Sequence, residues 1–134
     1  MGAETERNRA LLTEAFAGLE HGDPSKFMPL FAPDIAWKVM GSSAWSKEAR
    51  GLEAVERDLV VPLFARFAGL YLNIPELILA DSDKVVVLAK GHAETHEGQT
   101  YANDYCFVFT LRDGMIVDVR EYMDGLLADA VLGV

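Results

Sequence analysis

Tyr101-Ala102-Asn103-Asp104-Tyr105-Cys106-Phe107-Val108-Phe109-Thr110-Leu111-Arg112-Asp113-Gly114-Met115-Ile116-Val117-Asp118-Val119-Arg120-Glu121-Tyr122-Met123 is the stretch on which the fold turns. Successive side chains of a strand point to opposite faces, so Tyr101, Asn103, Tyr105, Phe107 and Phe109 share one side. Asp113-Gly114 is the pair that a tight hairpin prefers, because both central residues of its turn need positive φ. The pattern predicts strands over 100–111 and 115–123. Upstream, two more alternating runs predict strands over 71–80 and 84–95. Asp81-Ser82-Asp83 and His96-Glu97-Gly98 are the turns between them. A four-stranded meander of this length must bend to bury one face.

The first half of the chain supplies what covers that face. Leu11, Leu12, Ala15, Phe16 and Leu19 recur at helical spacing and predict a helix over 5–20, ended by Gly22. Asp23-Pro24 restarts a short helix with Phe27, Leu30 and Phe31 on its apolar side, stopped by Pro33. Ile35-Ala36-Trp37-Lys38-Val39 alternates as a strand, and residues 41–50 read as a loop. Val55, Leu59, Leu63 and Phe67 mark a helix over 52–67, with Pro62 inside the pattern to kink or split it. A last short helix is expected between Leu126 and Val131. The expected architecture is α+β: N-terminal helices packed in the concave face of a strongly curved, mostly antiparallel sheet, a cone formed by one domain over 1–134.

Composition excludes several partners. The formal charge of −9 repels phosphate backbones and anionic lipid surfaces, so neither nucleic acid nor a membrane is an expected partner. No apolar run approaches the roughly 18 residues needed to cross a bilayer. Met1-Gly2-Ala3-Glu4-Thr5-Glu6 has neither the basic start nor the apolar stretch of a secretory leader, and a cytoplasmic location is expected. Cys106 is the single cysteine and sits in an apolar strand pattern, where a packed, inert thiol is expected. His21, His92 and His96 form no metal-ligand spacing with the carboxylates, and no phosphate loop or nucleophile triad appears. No metal and no cofactor are expected.

Two motifs carry a resemblance. One is Gly22-Asp23-Pro24…Phe27…Leu30-Phe31-Ala32-Pro33-Asp34-Ile35-Ala36-Trp37. The other is Tyr101-Ala102-Asn103-Asp104-Tyr105…Phe107-Val108-Phe109…Asp113-Gly114-Met115-Ile116…Arg120-Glu121-Tyr122-Met123-Asp124. The chain resembles the SnoaL-like polyketide cyclase group of the nuclear transport factor 2-like superfamily. The resemblance implies a cone with a deep pocket and a homodimer. It implies no single activity, because the superfamily holds isomerases, cyclases, hydrolases and binding domains.

Glu121 is the leading candidate for chemistry. Val117, Val119, Glu121 and Met123 fall on one face of the last strand, so a carboxyl group stands on an apolar face. Burial disfavours its charge, and a carboxyl held near neutral pH serves as a general acid or base. The competing reading is structural, with Glu121 paired to a cation or to a dimer partner. The resemblance places the acidic residue of SnoaL-like and epoxide-hydrolase-like enzymes here, with Glu in place of the usual Asp. His92 and Glu94 fall where such hydrolases carry an Arg and an Asp two residues apart. His92 is expected to assist proton transfer and Glu94 to contact substrate. Tyr105 falls near the oxyanion-stabilising Asp of ketosteroid isomerase. Tyr105 and Asn103 are expected to hydrogen-bond a carbonyl or enolate oxygen. Trp37, Phe16 and Met123 are expected to shape the apolar wall. Trp45, in a polar loop, covers the pocket mouth or an interface, or anchors the loop on the core. The isomerase's basic Asp falls on Val39 or Met40, and the hydrolase's first-strand Tyr and Asn fall on Trp37 and Val39. Neither enzyme's full set is present.

The reading at this stage is a pocket protein that takes a small apolar molecule, with cofactor-free acid–base chemistry on a carbonyl compound. A non-catalytic binding protein and an assembly domain are the alternatives.

Overall fold

Helix α1 (Gly2–Leu19) buries Asn8, Leu12, Ala15 and Phe16 along one side, as the helical spacing requires. Gly22, at φ +78°, carries the chain out of the helix. A Cβ there would press against Leu70 and Leu72 at 3.1–3.3 Å. The computed structural model describes residues 2–133.

The short helix expected after Asp23-Pro24 is reduced to two tight turns. Ser25 N donates to Asp23 Oδ1, Phe27 N donates to the Pro24 carbonyl, and one 3₁₀ turn covers Met28–Leu30. Strand β1 (Phe31–Val39) then starts four residues earlier than the alternation indicated. Pro33 lies inside it and stops no helix. Pairing to the neighbouring strand skips between Phe31 and Ala36, so the missing proline N–H leaves no ladder bond unmade. The expected loop over 41–50 holds a short strand, β2 (Glu48–Arg50), antiparallel to β1.

The helix expected over 52–67 is three pieces: α2 (Leu52–Val55), a π-helical turn (Glu56–Val60) and α3 (Val61–Phe64). Val61 N donates to the Glu56 carbonyl five residues back, just ahead of Pro62, which has no N–H to give. Strands β3 (Leu72–Asp81), β4 (Lys84–Glu94), β5 (Thr100–Arg112) and β6 (Met115–Tyr122) form the meander, and α4 (Gly125–Leu132) follows. Asp113 (φ +52°) and Gly114 (φ +77°) make the hairpin turn that their identity demanded.

The six strands run in the order β2-β1-β6-β5-β4-β3. β1 and β6 pair in parallel and the other neighbours are antiparallel. The helices lie on the buried side of this curved, open sheet, with α1 against β3 and β4, α2 against β1 and α4 against β5. The α+β architecture is therefore the one expected. Large residues of β5 face small ones of β4 across the ladder: Tyr101 opposite Ala93, Asn103 opposite Gly91, Tyr105 opposite Ala89. That pairing makes room for the two tyrosine rings and the amide between them on the concave face. One expected face is wrong at its start. A bulge sets Thr110 against Asp118 but Leu111 against Ile116, so Ile116 and Val119 are buried and Val117 is turned out of the row.

Candidate functional site

β6 runs between β5 and β1, and Glu121 stands opposite Phe107 on one side and Val39 on the other. Its Oε1 accepts a hydrogen bond from Trp37 Nε1 at 3.0 Å. Its side chain reaches a cavity of about 120 Å³ walled mainly by aromatic and aliphatic groups, among them Phe16, Phe27, Phe31 and Phe107. Burial pushes the Glu121 carboxyl up from 4.5 to about 7, and the Trp37 hydrogen bond offsets only part of that. No cation contributes to holding it charged. It therefore sits at its own midpoint near neutral pH, where a carboxyl group can both take and return a proton.

A second polar feature shares the cavity. Tyr71 Oη donates to Tyr105 Oη at 2.7 Å, and Tyr105 Oη lies 2.7 Å from Tyr101 Oη. Asn103 Nδ2 donates to Tyr101 Oη at 2.9 Å, while the Tyr101 hydroxyl is directed at Met123 Sδ, 3.9 Å away. Burial raises all three phenols above their ordinary value, and the nearby Glu121 carboxylate raises them further. They remain protonated donors. A chain of hydroxyls polarises along its length, which strengthens its terminal donor.

The cavity is roofed by the π-helical turn and α3, through Leu59, Val60 and Leu63. Lys47 and Asp58 are the charged residues on its wall besides Glu121. Arg57 beside Asp58 holds that carboxyl below the usual carboxylate range.

This arrangement of helices on a concave sheet has counterparts. The family model for the SnoaL-like domain matches residues 12–119. The chain belongs to the SnoaL-like domain family. No curated protein matches it in a sequence search. Among solved structures, Bal32a from a soil-derived mobile gene cassette superposes with a TM-score of 0.81 at 23% identity, covering 96% of this chain and 98% of that one. A nuclear transport factor 2-like protein from Burkholderia thailandensis E264 gives 0.78 at 19% identity, covering 93% and 96%. TerC, co-crystallised with polyporic acid, gives 0.77 at 18% identity, covering 96% and 99%. At these identities the likeness concerns the fold.

In this SnoaL-like chain the expected site residues separate into two groups. Glu121, Tyr105, Trp37, Phe16, Met123 and Trp45 all reach the cavity. Trp45 lines the cavity, and its Nε1 donates to the Gly133 carbonyl at 2.7 Å while Arg66 lies 5.4 Å over its ring. His92 and Glu94 do not reach the cavity. They lie on the exposed convex side of β4, whose inward side is Val85, Val87, Ala89, Gly91 and Ala93. His92 is registered between Leu72 and Ala102, and Glu94 accepts from Thr100 Oγ1. The expected assistance by His92 and substrate contact by Glu94 are corrected accordingly. Asn103 is inward and buried, but its amide is consumed. Nδ2 donates to Tyr101 Oη and to the Asp124 carbonyl, and Oδ1 accepts from Asp124 N at 3.0 Å. It clamps the turn into α4 rather than presenting a donor to the cavity.

Tyr71, Tyr101 and Asn73 are cavity residues that the sequence reading gave no role. For Tyr101 the signal was present, since it shares a face with Tyr105 four residues on. For Tyr71, just ahead of β3, and Asn73, at its start, nothing local indicated which side faced inward. Among the described residues no group of three or more His, Cys, Asp or Glu is placed to hold a metal ion, and no helix is long and apolar enough to cross a membrane.

Proposed function

We propose that this protein carries out cofactor-free acid–base chemistry on a small, hydrophobic carbonyl compound, with Glu121 exchanging the proton. The observation that carries the reading is a single carboxyl with a pKa near 7 facing an otherwise largely apolar cavity. Trp37 holds Oε1, which leaves Oε2 for the substrate. The carboxylate takes a proton from the carbon next to the carbonyl; the C–H electron pair becomes the C=C bond of the enolate, and the carbonyl π pair moves onto the oxygen. The tyrosine cluster donates to that oxygen, using the Tyr101 hydroxyl that otherwise meets only the weak Met123 Sδ acceptor. Tyr105, between Tyr71 and Tyr101, transmits the polarisation. The proton then returns from Glu121 to another position or the same one. A positioned general base contributes about 10²–10⁴-fold and an oxyanion donor about 10²–10³-fold.

The test is hydrogen–deuterium exchange at the α-carbon of small aryl ketones such as acetophenone, followed by NMR in D₂O. Exchange above the buffer rate, reduced at least about 100-fold in Glu121→Gln, is the expected result. Undiminished exchange in Glu121→Gln ends the reading. Binding without turnover is the second reading. It is favoured by the way the three tyrosine hydroxyls hydrogen-bond one another.

The protein is further proposed to be one cytoplasmic domain that pairs as a homodimer through the convex face of the sheet. Leu77, Leu88, Cys106 and Tyr122 form one in-register row across four strands on that side, and Leu79, Val86 and Val108 form the next. Leu77, Leu79, Leu88 and Tyr122 are exposed in the single chain.

A further inference from the structure

Asn73 is an expensive residue in its place. It stands in β3 opposite Gly91, is 7% exposed, and forms part of the cavity wall. The side chain lies beside the Tyr71 hydroxyl, next to the tyrosine cluster, and favours the charged phenolate there. Its Oδ1 is buried with no hydrogen-bond partner, the only such side-chain atom among the described residues. An orphaned buried acceptor destabilises the fold, and buried polar atoms are otherwise almost always paired. A leucine has the same branched outline and no polar atom to leave unpaired. Nothing in the strand requires an amide here, since neither β3 nor β4 offers Oδ1 a backbone donor. The cavity that Asn73 lines is the side from which a partner can reach it.

We propose that Asn73 is a recognition residue whose Oδ1 receives a hydroxyl of the bound molecule, so that the pocket selects hydroxylated carbonyl compounds over plain hydrocarbon ketones. The carbonyl part of this class rests on the acid–base reading of Glu121; the hydroxyl part rests on Asn73 alone. The two groups act on separate parts of one ligand. Glu121 is held from β1 by Trp37, and Asn73 is held on β3 at the Tyr71 end of the hydroxyl chain. A ligand bridging them is oriented along the cavity, because each polar end has one partner. A ligand without the hydroxyl leaves Oδ1 orphaned, and sites built to hydrogen-bond a substrate hydroxyl reject the analogue that lacks it.

The test uses 3′-hydroxyacetophenone, 4′-hydroxyacetophenone and the size-matched 4′-methylacetophenone. Binding is read from the fluorescence of Trp37 and Trp45, which both line the cavity. Wild type is expected to bind one of the hydroxyl isomers at least tenfold more tightly than the methyl compound. Asn73→Leu should lose that preference, bind the methyl compound as well as wild type or better, and melt at the same temperature or higher when empty. Glu121→Gln should retain the preference. If Asn73→Leu does not fold, Asn73→Thr, shorter and suited to a strand, should lose the preference instead. Equal affinities for all three compounds in wild type overturn the proposal. So does failure to bind either hydroxyl isomer, or a preference that survives in the Asn73 variant. A lower melting temperature with unchanged preference would make Asn73 structural. Deuterium exchange on the same ketones keeps the two readings apart. A hydroxyl preference without exchange sinks only the Glu121 chemistry, and exchange without preference sinks only the Asn73 assignment.

Discussion

Glu121 ties function to stability through one proton. Its carboxyl titrates near 4.5 when the chain is unfolded and near 7 when folded, because burial penalises the charge. The folded state thus holds the proton more tightly. Its contribution to stability is full below pH 4.5, falls as the pH rises toward 7, and is lost above that. The gap corresponds to about 3 kcal/mol. Glu121→Gln keeps an acceptor for Trp37 and carries no charge. It should match wild type at pH 4.5 and exceed it by about 2–3 kcal/mol at pH 8, measured by urea denaturation at both pH values. A constant difference across that range would mean that the carboxyl does not titrate from a buried position. Gly91 offers a second test at this scale. A Cβ there would lie 2.5 Å from Tyr105 Cε2, and the Tyr105 ring is held by stacking on Phe107 at 5.2 Å. Gly91→Ala should displace the ring and cost about 1–3 kcal/mol in thermal or urea melts. It should also weaken exchange at the ketone, because Tyr105 leaves the hydroxyl chain. The inward placement of Glu121 was legible, since it stands in an alternating run and the alternation holds from Val119 onward. So was the outward placement of His92, which the alternation of β4 already indicated; its expected role came from other enzymes and not from this strand. The Asn103 clamp was not legible, because its partner is the backbone of Asp124, 21 residues away.

The elements that shape the cavity are the ones that local pattern describes least well. α2, the π-helical turn and α3 form one roof whose pitch changes where Pro62 withholds an N–H. The proline announced a break, but the wider turn that brings Asp58, Leu59 and Val60 to the cavity depends on packing against the sheet. β2 was hidden for a related reason. Three residues are too short to show a period, and the strand exists only because β1 offers it an edge. The junction of β6 and α4 is held by two caps. Asp124 Oδ1 accepts from Leu127 N, and Asn103 brackets the Asp124 backbone with one donor and one acceptor. Asn103→Ala leaves the carbonyl and N–H of Asp124 without these partners and should cost about 2–4 kcal/mol. Its mark in hydrogen exchange is faster amide exchange concentrated in α4 and at Leu127, with β4 unchanged. Uniform acceleration over the whole chain would show that α4 is not a separately held element. Trp45 holds the other end of α4 through the Gly133 carbonyl, so a variant that loosens the whole helix should also alter tryptophan fluorescence.

At the scale of the whole molecule, the sheet has two faces with opposite needs. The concave face is covered by the chain's own helices, and the alternating strands with an amphipathic N-terminal helix made that legible. The sheet order was less so, because the parallel contact of β1 with β6 joins segments about 80 residues apart and leaves no local trace. The convex face presents Leu77, Leu88, Cys106 and Tyr122 in register, where an antiparallel sheet facing water would alternate to polar groups. Contiguous exposed apolar surface of this kind marks an association site. Two copies meeting there bring together chains that each carry −9, so the apolar contact must outweigh like-charge repulsion. Association should therefore strengthen as salt rises from 0.02 to about 0.5 M, because screening removes repulsion while apolar burial persists. Leu88→Asp places a charge in the centre of the row without touching the cavity and should abolish the dimer at every salt concentration. Sedimentation velocity at tens of micromolar gives both readouts, and the variant's far-UV circular dichroism should stay unchanged. A wild type that sediments as a monomer at high salt would remove the homodimer and leave the convex row without a partner. A Leu88→Asp protein that still dimerises would place the contact on another face.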